Sequence, residues 1–183
     1  MKFKVFTILL LISSITIVIW HNNLKTEETK DKKDQFKEEF ESFNDEYQLL
    51  DIPEDNPMYY AKDDEILNVL DSSGIIFFGN PKDDESRKII PSLISTAKKT
   101  NINQINYYNL SQDRKEEENG IIIKEQTIFY EILLEKLDKE DIKDATVVYV
   151  IDGDIIGIEE EKTTSKTKEL MLKVSKSIIE NVS

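Results

Sequence analysis

The stretch richest in reactive groups is Asp83-Asp84-Glu85-Ser86-Arg87. Three successive carboxylates suit general acid–base work or the capture of a divalent cation by oxygen ligands. The hydroxyl of Ser86 would need a neighbouring base to become a nucleophile. The only histidine is His21, beside a hydrophobic N-terminal run, so the remainder of the chain has no imidazole for a Ser–His relay or for metal ligation. There is no cysteine. That removes disulfides, thiolate nucleophiles, zinc–sulfur sites and a lipid-modified N-terminal Cys.

A second acidic group, Asp152, Asp154, Glu159, Glu160 and Glu161, suggests calcium, but the twelve-residue EF-hand pattern is missing. Asp152-Gly153 reads instead as a two-residue hairpin turn. No P-loop lysine motif or Gly-x-Gly-x-x-Gly is present, so no cofactor is implied. The net charge of −13 makes nucleic acid an unsuitable partner, because phosphate backbones repel such a chain. The same acidity favours solubility and a basic protein partner.

Several elements must position these residues. Lys2 and Lys4 precede Val5–Trp20, an uncharged and mostly apolar run. With its flanks it approaches the lower limit of a membrane span, about 17 residues. No small-x-small cleavage site follows it, which favours an uncleaved anchor over a cleaved signal peptide. The chain is thus expected to meet the membrane through residues 5–20. The lysines stay cytoplasmic and the remainder is extracytoplasmic, or secreted if the segment is cleaved. Three segments are expected: a signal-anchor over 1–23, a charged stalk and amphipathic helix over 24–55, and a folded domain over 56–183. Phe36, Phe40, Phe43 and Tyr47 recur at helical spacing, an aromatic stripe that either packs on the domain or docks on another surface. Pro53 and Pro57 end that pattern.

The domain alternates strand and helix signals. Helices are predicted over 63–71, 83–99, 125–139 and 166–181, with Pro91 kinking the second. Strands are predicted over 74–78, 105–109, 146–151 and 155–159, and 111–120 reads as a polar loop. The fold class is therefore α/β, a mixed sheet with helices on both faces, preceded by the membrane helix and the amphipathic helix.

One motif frame narrows this further. Phe78-Gly79-Asn80-Pro81-Lys82 is followed by Asp83-Asp84-Glu85-Ser86, and Pro91 lies five residues after Ser86. Farther on, Ala145-Thr146 opens Val147-Val148-Tyr149-Val150-Ile151-Asp152-Gly153. Over about 56–157 the chain resembles the thioredoxin superfamily. It is most similar to Gram-positive extracytoplasmic thioredoxin-like proteins, including those called bacteriocin-transport accessory proteins. In that family Phe-Gly-x-Pro leads into Cys-x-x-Cys at a helix start, and a cis-Pro-Thr pair precedes the hairpin.

The resemblance implies a thioredoxin-like mixed sheet with degenerate site positions Asp83, Asp84, Glu85, Ser86 and Ala145. Asp83 and Ser86 stand where the two sulfurs belong, and Ala145 where the cis-Pro belongs. Disulfide exchange needs an attacking thiolate and a resolving thiol, which a carboxylate and a hydroxyl do not supply. The bond before Ala145 is expected to be trans, because a cis bond before a non-proline costs about 2.5–4 kcal/mol.

The Asp83–Ser86 segment has three readings: an optimised helix start, a retained binding patch, or a carboxylate cluster with metal or catalytic work. Adjacent residues at a helix start rarely converge on one ion, which weighs against the last. Arg87 is expected to pair with a surface carboxylate or to contact a ligand. Asp83, Arg87, Phe36, Phe40 and Phe43 are the candidate binding residues. The function expected is a redox-inactive, membrane-tethered binding or accessory module with a protein partner. A carboxylate-based, cation-dependent enzyme is the alternative.

Overall fold

The structure, a computed structural model, describes residues 28–119 and 121–180. Among these no helix is long and apolar enough to cross a membrane. The apolar run at 5–20 lies outside the described residues.

The first helix, α1, spans 28–41. Strand β1 is Met58–Tyr60, helix α2 Asp63–Leu70, strand β2 Gly74–Phe78, helix α3 Asp84–Lys99 and strand β3 Ile105–Tyr108. After a 3-10 turn over Leu110–Gln112 come β4 (Glu116–Glu118), β5 (Ile121–Lys124) and α4 (Ile128–Leu137). The chain closes with β6 (Thr146–Ile151), β7 (Asp154–Glu160) and α5 (Ser165–Glu180).

Five strands form one mixed sheet in the order β1-β3-β2-β6-β7. β3 pairs in parallel with both β1 and β2, matching Met58 to Ile105 and Ile76 to Asn106. β6 runs antiparallel to β2, with Ile76 opposite Val148, and β7 antiparallel to β6. Parallel neighbours need crossovers, which α2 and α3 provide. The β6–β7 connection is tight: Asp152 and Gly153 both take positive φ, 51° and 84°, as a primed hairpin turn requires.

Both faces of the sheet are covered, so its central strands are apolar without alternation. Ile75, Phe77, Tyr107 and Tyr149 point into a core shared with α1, α3 and α5, where Met171 is one of the buried fillers. Ile76, Phe78, Tyr108 and Val148 point into a second core with α2 and α4. Tyr107 and Tyr108 thus face opposite sides, yet both are buried, because the second side holds helices and not water.

Several sequence expectations shift. The helix carrying Phe36 and Phe40 begins by residue 28, inside the expected stalk, and ends at 41, before Phe43 and Tyr47. Residues 42–47 form turns, so the four aromatics do not share one helix. α3 runs unbroken past Pro91. β1 carries no alternation long enough to read, being three residues between prolines and charges. The polar loop at 111–120 hides β4, whose three glutamates have poor strand propensity. The Asn119-Gly120 pair behind it was the available hairpin signal.

Candidate functional site

The start of α3 is built by sequence in its immediate vicinity. Asp83 precedes the helix with extended backbone, and its carboxylate accepts the Ser86 N–H at 2.6 Å. Such a cap satisfies one of the helix's open donors, and its loss costs about 0.5–2 kcal/mol. Ser86 is fully buried, and its Oγ accepts the Asn80 N–H at 3.1 Å. Gly79 precedes it where a Cβ would lie 2.6 Å from the Phe77 ring, so no larger residue fits without a shift. The two positions that carry sulfur in the resembled family are both spent on holding this turn.

The remaining carboxylates diverge. Asp84 is exposed, and Glu85 accepts from Lys88 at 2.6 Å on the outer face of α3. Among the described residues no group of three His, Asp or Glu is placed to hold a metal ion.

Arg87 neither pairs with a surface carboxylate nor reaches a ligand position. It is fully buried and points into the junction between α3 and the end of α1. Its guanidinium donates to the Phe40 carbonyl at 2.8 Å, the Pro81 carbonyl at 2.9 Å, the Gln48 carbonyl at 2.7 and 2.9 Å, and Asn44 Oδ1 at 2.6 Å. Burial lowers its pKa, partly offset by the charge of Asp84. Asn44 in turn accepts the Leu50 N–H at 2.9 Å and donates to the Leu50 carbonyl at 2.8 Å. The whole 40–50 segment is thus folded around one cation, which a lysine could not replicate because its ammonium lacks the planar fork.

The aromatic stripe lies on the same side. Phe36 and Phe40 are fully buried, their rings 4.9 Å apart and 5.0 and 5.3 Å from Tyr107. They offer no surface to a partner. Burying each ring contributes about 1.5–3 kcal/mol, which makes α1 part of the core. Phe43 is half-buried, edge-on to Tyr47, with Lys82 Nζ 4.9 Å from its ring centroid. Glu39, on α1, accepts from Asn109 at 2.8 Å and lies against Tyr107. Burial pushes its carboxyl above the ordinary value, and the Asn109 hydrogen bond opposes that.

On its other side the α3 start faces the loop before β6. Asp144 accepts from Asn80 Nδ2 at 3.2 Å and from Arg114 Nη1 at 2.8 Å. Arg114 also donates to the Ile142 carbonyl. Burial works to lower the Arg114 pKa, but Asp144 and Tyr130 together outweigh it and the guanidinium is held above its ordinary value. Tyr130 braces the loop by donating to Asp141 at 2.6 Å and accepting the Ile142 N–H at 3.2 Å.

Ala145 is buried and takes φ 60°, a left-handed conformation that costs a residue with a Cβ about 1–2 kcal/mol. Among the described residues there is no cis peptide. The strained residue stands between Asp144, fixed by two donors, and Thr146, fixed in β6.

Between these parts opens a cleft of about 310 Å³ lined by Asp83, Glu85, Arg114, Lys143, Asp144 and Glu161. Lys143 bridges Glu160 and Glu161 at 3.6 and 3.2 Å along its rim. With Asp141, five carboxylates and two cations line it, so the cleft is acidic overall and offers oxygen acceptors to a ligand. Arg114, Asp144 and Asn44 carried no motif, and Asn80 stood only as the variable position of the Phe-Gly-x-Pro frame. The one signal that pointed to Arg114 is rarity: it and Arg87 are the only arginines among many lysines. No family model matches this chain, and no curated protein or solved structure shows significant similarity to it.

Proposed function

We propose that this chain is a redox-inactive, thioredoxin-like binding or accessory module, held on the extracytoplasmic side of a membrane by its N-terminal apolar run. Supporting the fold reading is a parallel β1–β3–β2 core followed by the antiparallel β6–β7 hairpin, with helices on both faces. The observation that carries the functional reading is the fate of Asp83 and Ser86. Each gives its polar atom to a backbone N–H of the α3 start, at 2.6 and 3.1 Å. The frame persists without sulfur, and its polar groups stabilise the turn that shapes the cleft.

The test is site-specific photo-crosslinking in cells of origin, with the photoreactive residue placed at Glu85 or Glu161 beside the cleft, or at Lys173 on α5 as a remote control. A discrete protein adduct from the cleft positions and none from Lys173 is expected. Equal labelling at all three positions, or no adduct at the cleft, overturns the reading. So does reduction of a protein disulfide by the purified chain.

A further inference from the structure

The β4–β5 hairpin has no role in the cleft, and its chemistry differs from the rest of the surface. Glu116–Glu118 pairs antiparallel with Ile121–Lys124 as a two-stranded sheet separate from the main one. Ile122 is 46% exposed and Ile123 58%. The pairing shifts register between them: Glu116 stands opposite Lys124 and Glu117 opposite Ile122, so Ile123 is the extra residue of a bulge and lies outside the ladder. Ile128, at the start of α4, is 77% exposed. Three of the seven large exposed hydrophobics among the described residues therefore lie within seven positions. Beside them Glu116 and Glu118 are exposed. The base is fastened: Lys124 donates to the Ser111 carbonyl at 3.1 Å and to Glu116 at 3.0 Å. An isolated two-stranded hairpin is marginal in water, and an exposed edge readily accepts a further strand.

We propose that this hairpin is a docking element for an extended, cationic segment of another protein, in which apolar residues alternate with Lys or Arg and add a third strand. The isoleucines supply the apolar contact, and the glutamates select the charge, since opposite charges across strands stabilise and like charges oppose. A second copy of this chain is the wrong occupant. It would bring the same glutamates, and a net charge of −13, against each other. The proposal stands on the hairpin alone and is independent of the cleft.

The test uses the full chain in nanodiscs of zwitterionic lipid, so that a cationic probe finds no anionic headgroup. The probe is a short synthetic peptide alternating lysine with valine, and glutamate–valine and glutamine–valine peptides are controls. Expected is saturable binding of the lysine peptide alone, weakened by salt, with amide NMR shifts confined to 116–128. Reversing Glu118→Lys, which leaves the Lys124–Glu116 pair in place, weakens it by about two-fold or more, the effect of losing one exposed pair. Ile122→Thr with Ile123→Thr weakens it independently. Binding unchanged by Glu118→Lys and by the isoleucine double variant, equal binding of the acidic peptide, shifts elsewhere, or dimerisation through the hairpin would each overturn the proposal.

Discussion

Where α3 meets the end of α1, a buried guanidinium has five hydrogen bonds to carbonyl oxygens, two phenylalanines stack against a tyrosine, and the helix cap is closed. On the β4–β5 hairpin, isoleucines stand in water and glutamates line the adjacent strand. The first region satisfies its guanidinium and its helix cap internally and hides its apolar side chains. The second ties Glu116 to Lys124 but leaves Glu118, Ile122 and Ile123 exposed. Internal hydrogen bonding holds the start of α3 in place, whereas exposed apolar and charged surface is what a partner can use.

The contrast is quantitative. Phe40→Ala is expected to destabilise the protein by about 3–5 kcal/mol in a denaturant titration, the range for emptying a buried aromatic site. Arg87→Met follows at about 3 kcal/mol, because it strands the carbonyls of Phe40, Pro81 and Gln48 without their donor. Arg87→Lys should recover only part of that loss, since one ammonium cannot span the same acceptors. Asp83→Ala removes the α3 cap and should cost about 1 kcal/mol, with Asp83→Asn close to wild type.

Glu39 provides a pH-dependent comparison. Its folded-state pKa is raised by burial, so the folded chain holds the proton more tightly than the unfolded one. Its carboxylate therefore opposes folding increasingly as pH rises through the unfolded value of about 4.3, and fully above the folded one. Glu39→Gln should raise the thermal midpoint at neutral pH, with the advantage vanishing in acid; an advantage that grew in acid would contradict this. Smallest of all, Ile123→Thr should change stability by no more than about 0.5 kcal/mol. A loss there comparable with that of Phe40→Ala would erase the distinction between the two regions.

Much of the fold was legible where periodicity was long and local. The strands at 74–78 and 146–151, and the helices at 63–70 and 84–99, follow from unbroken apolar runs, helical spacing and the Asp83 helix start. β1 and β4 escaped because each is three residues long, and the latter opposes its own propensity. At the candidate site, Asp83 and Ser86 were legible as a helix start because capping is a contact over three residues. Arg87 was not, since its partners lie up to 47 positions away and include main-chain carbonyls, which have no sequence signature. Asp144 and Arg114, thirty positions apart, are hidden for the same reason.

The residue types alone determined the missing sulfur chemistry, the acidic surface and the amphipathic character of the aromatic helix. A side chain's reactive group and its hydropathy belong to it before it folds. Tertiary structure alone decided that Phe36 and Phe40 belong to the core, that Arg87 is an internal clip, and that Ile122 and Ile123 remain in water. Those outcomes depend on which surfaces long-range folding brings together, and packing is settled only when both partners are in place.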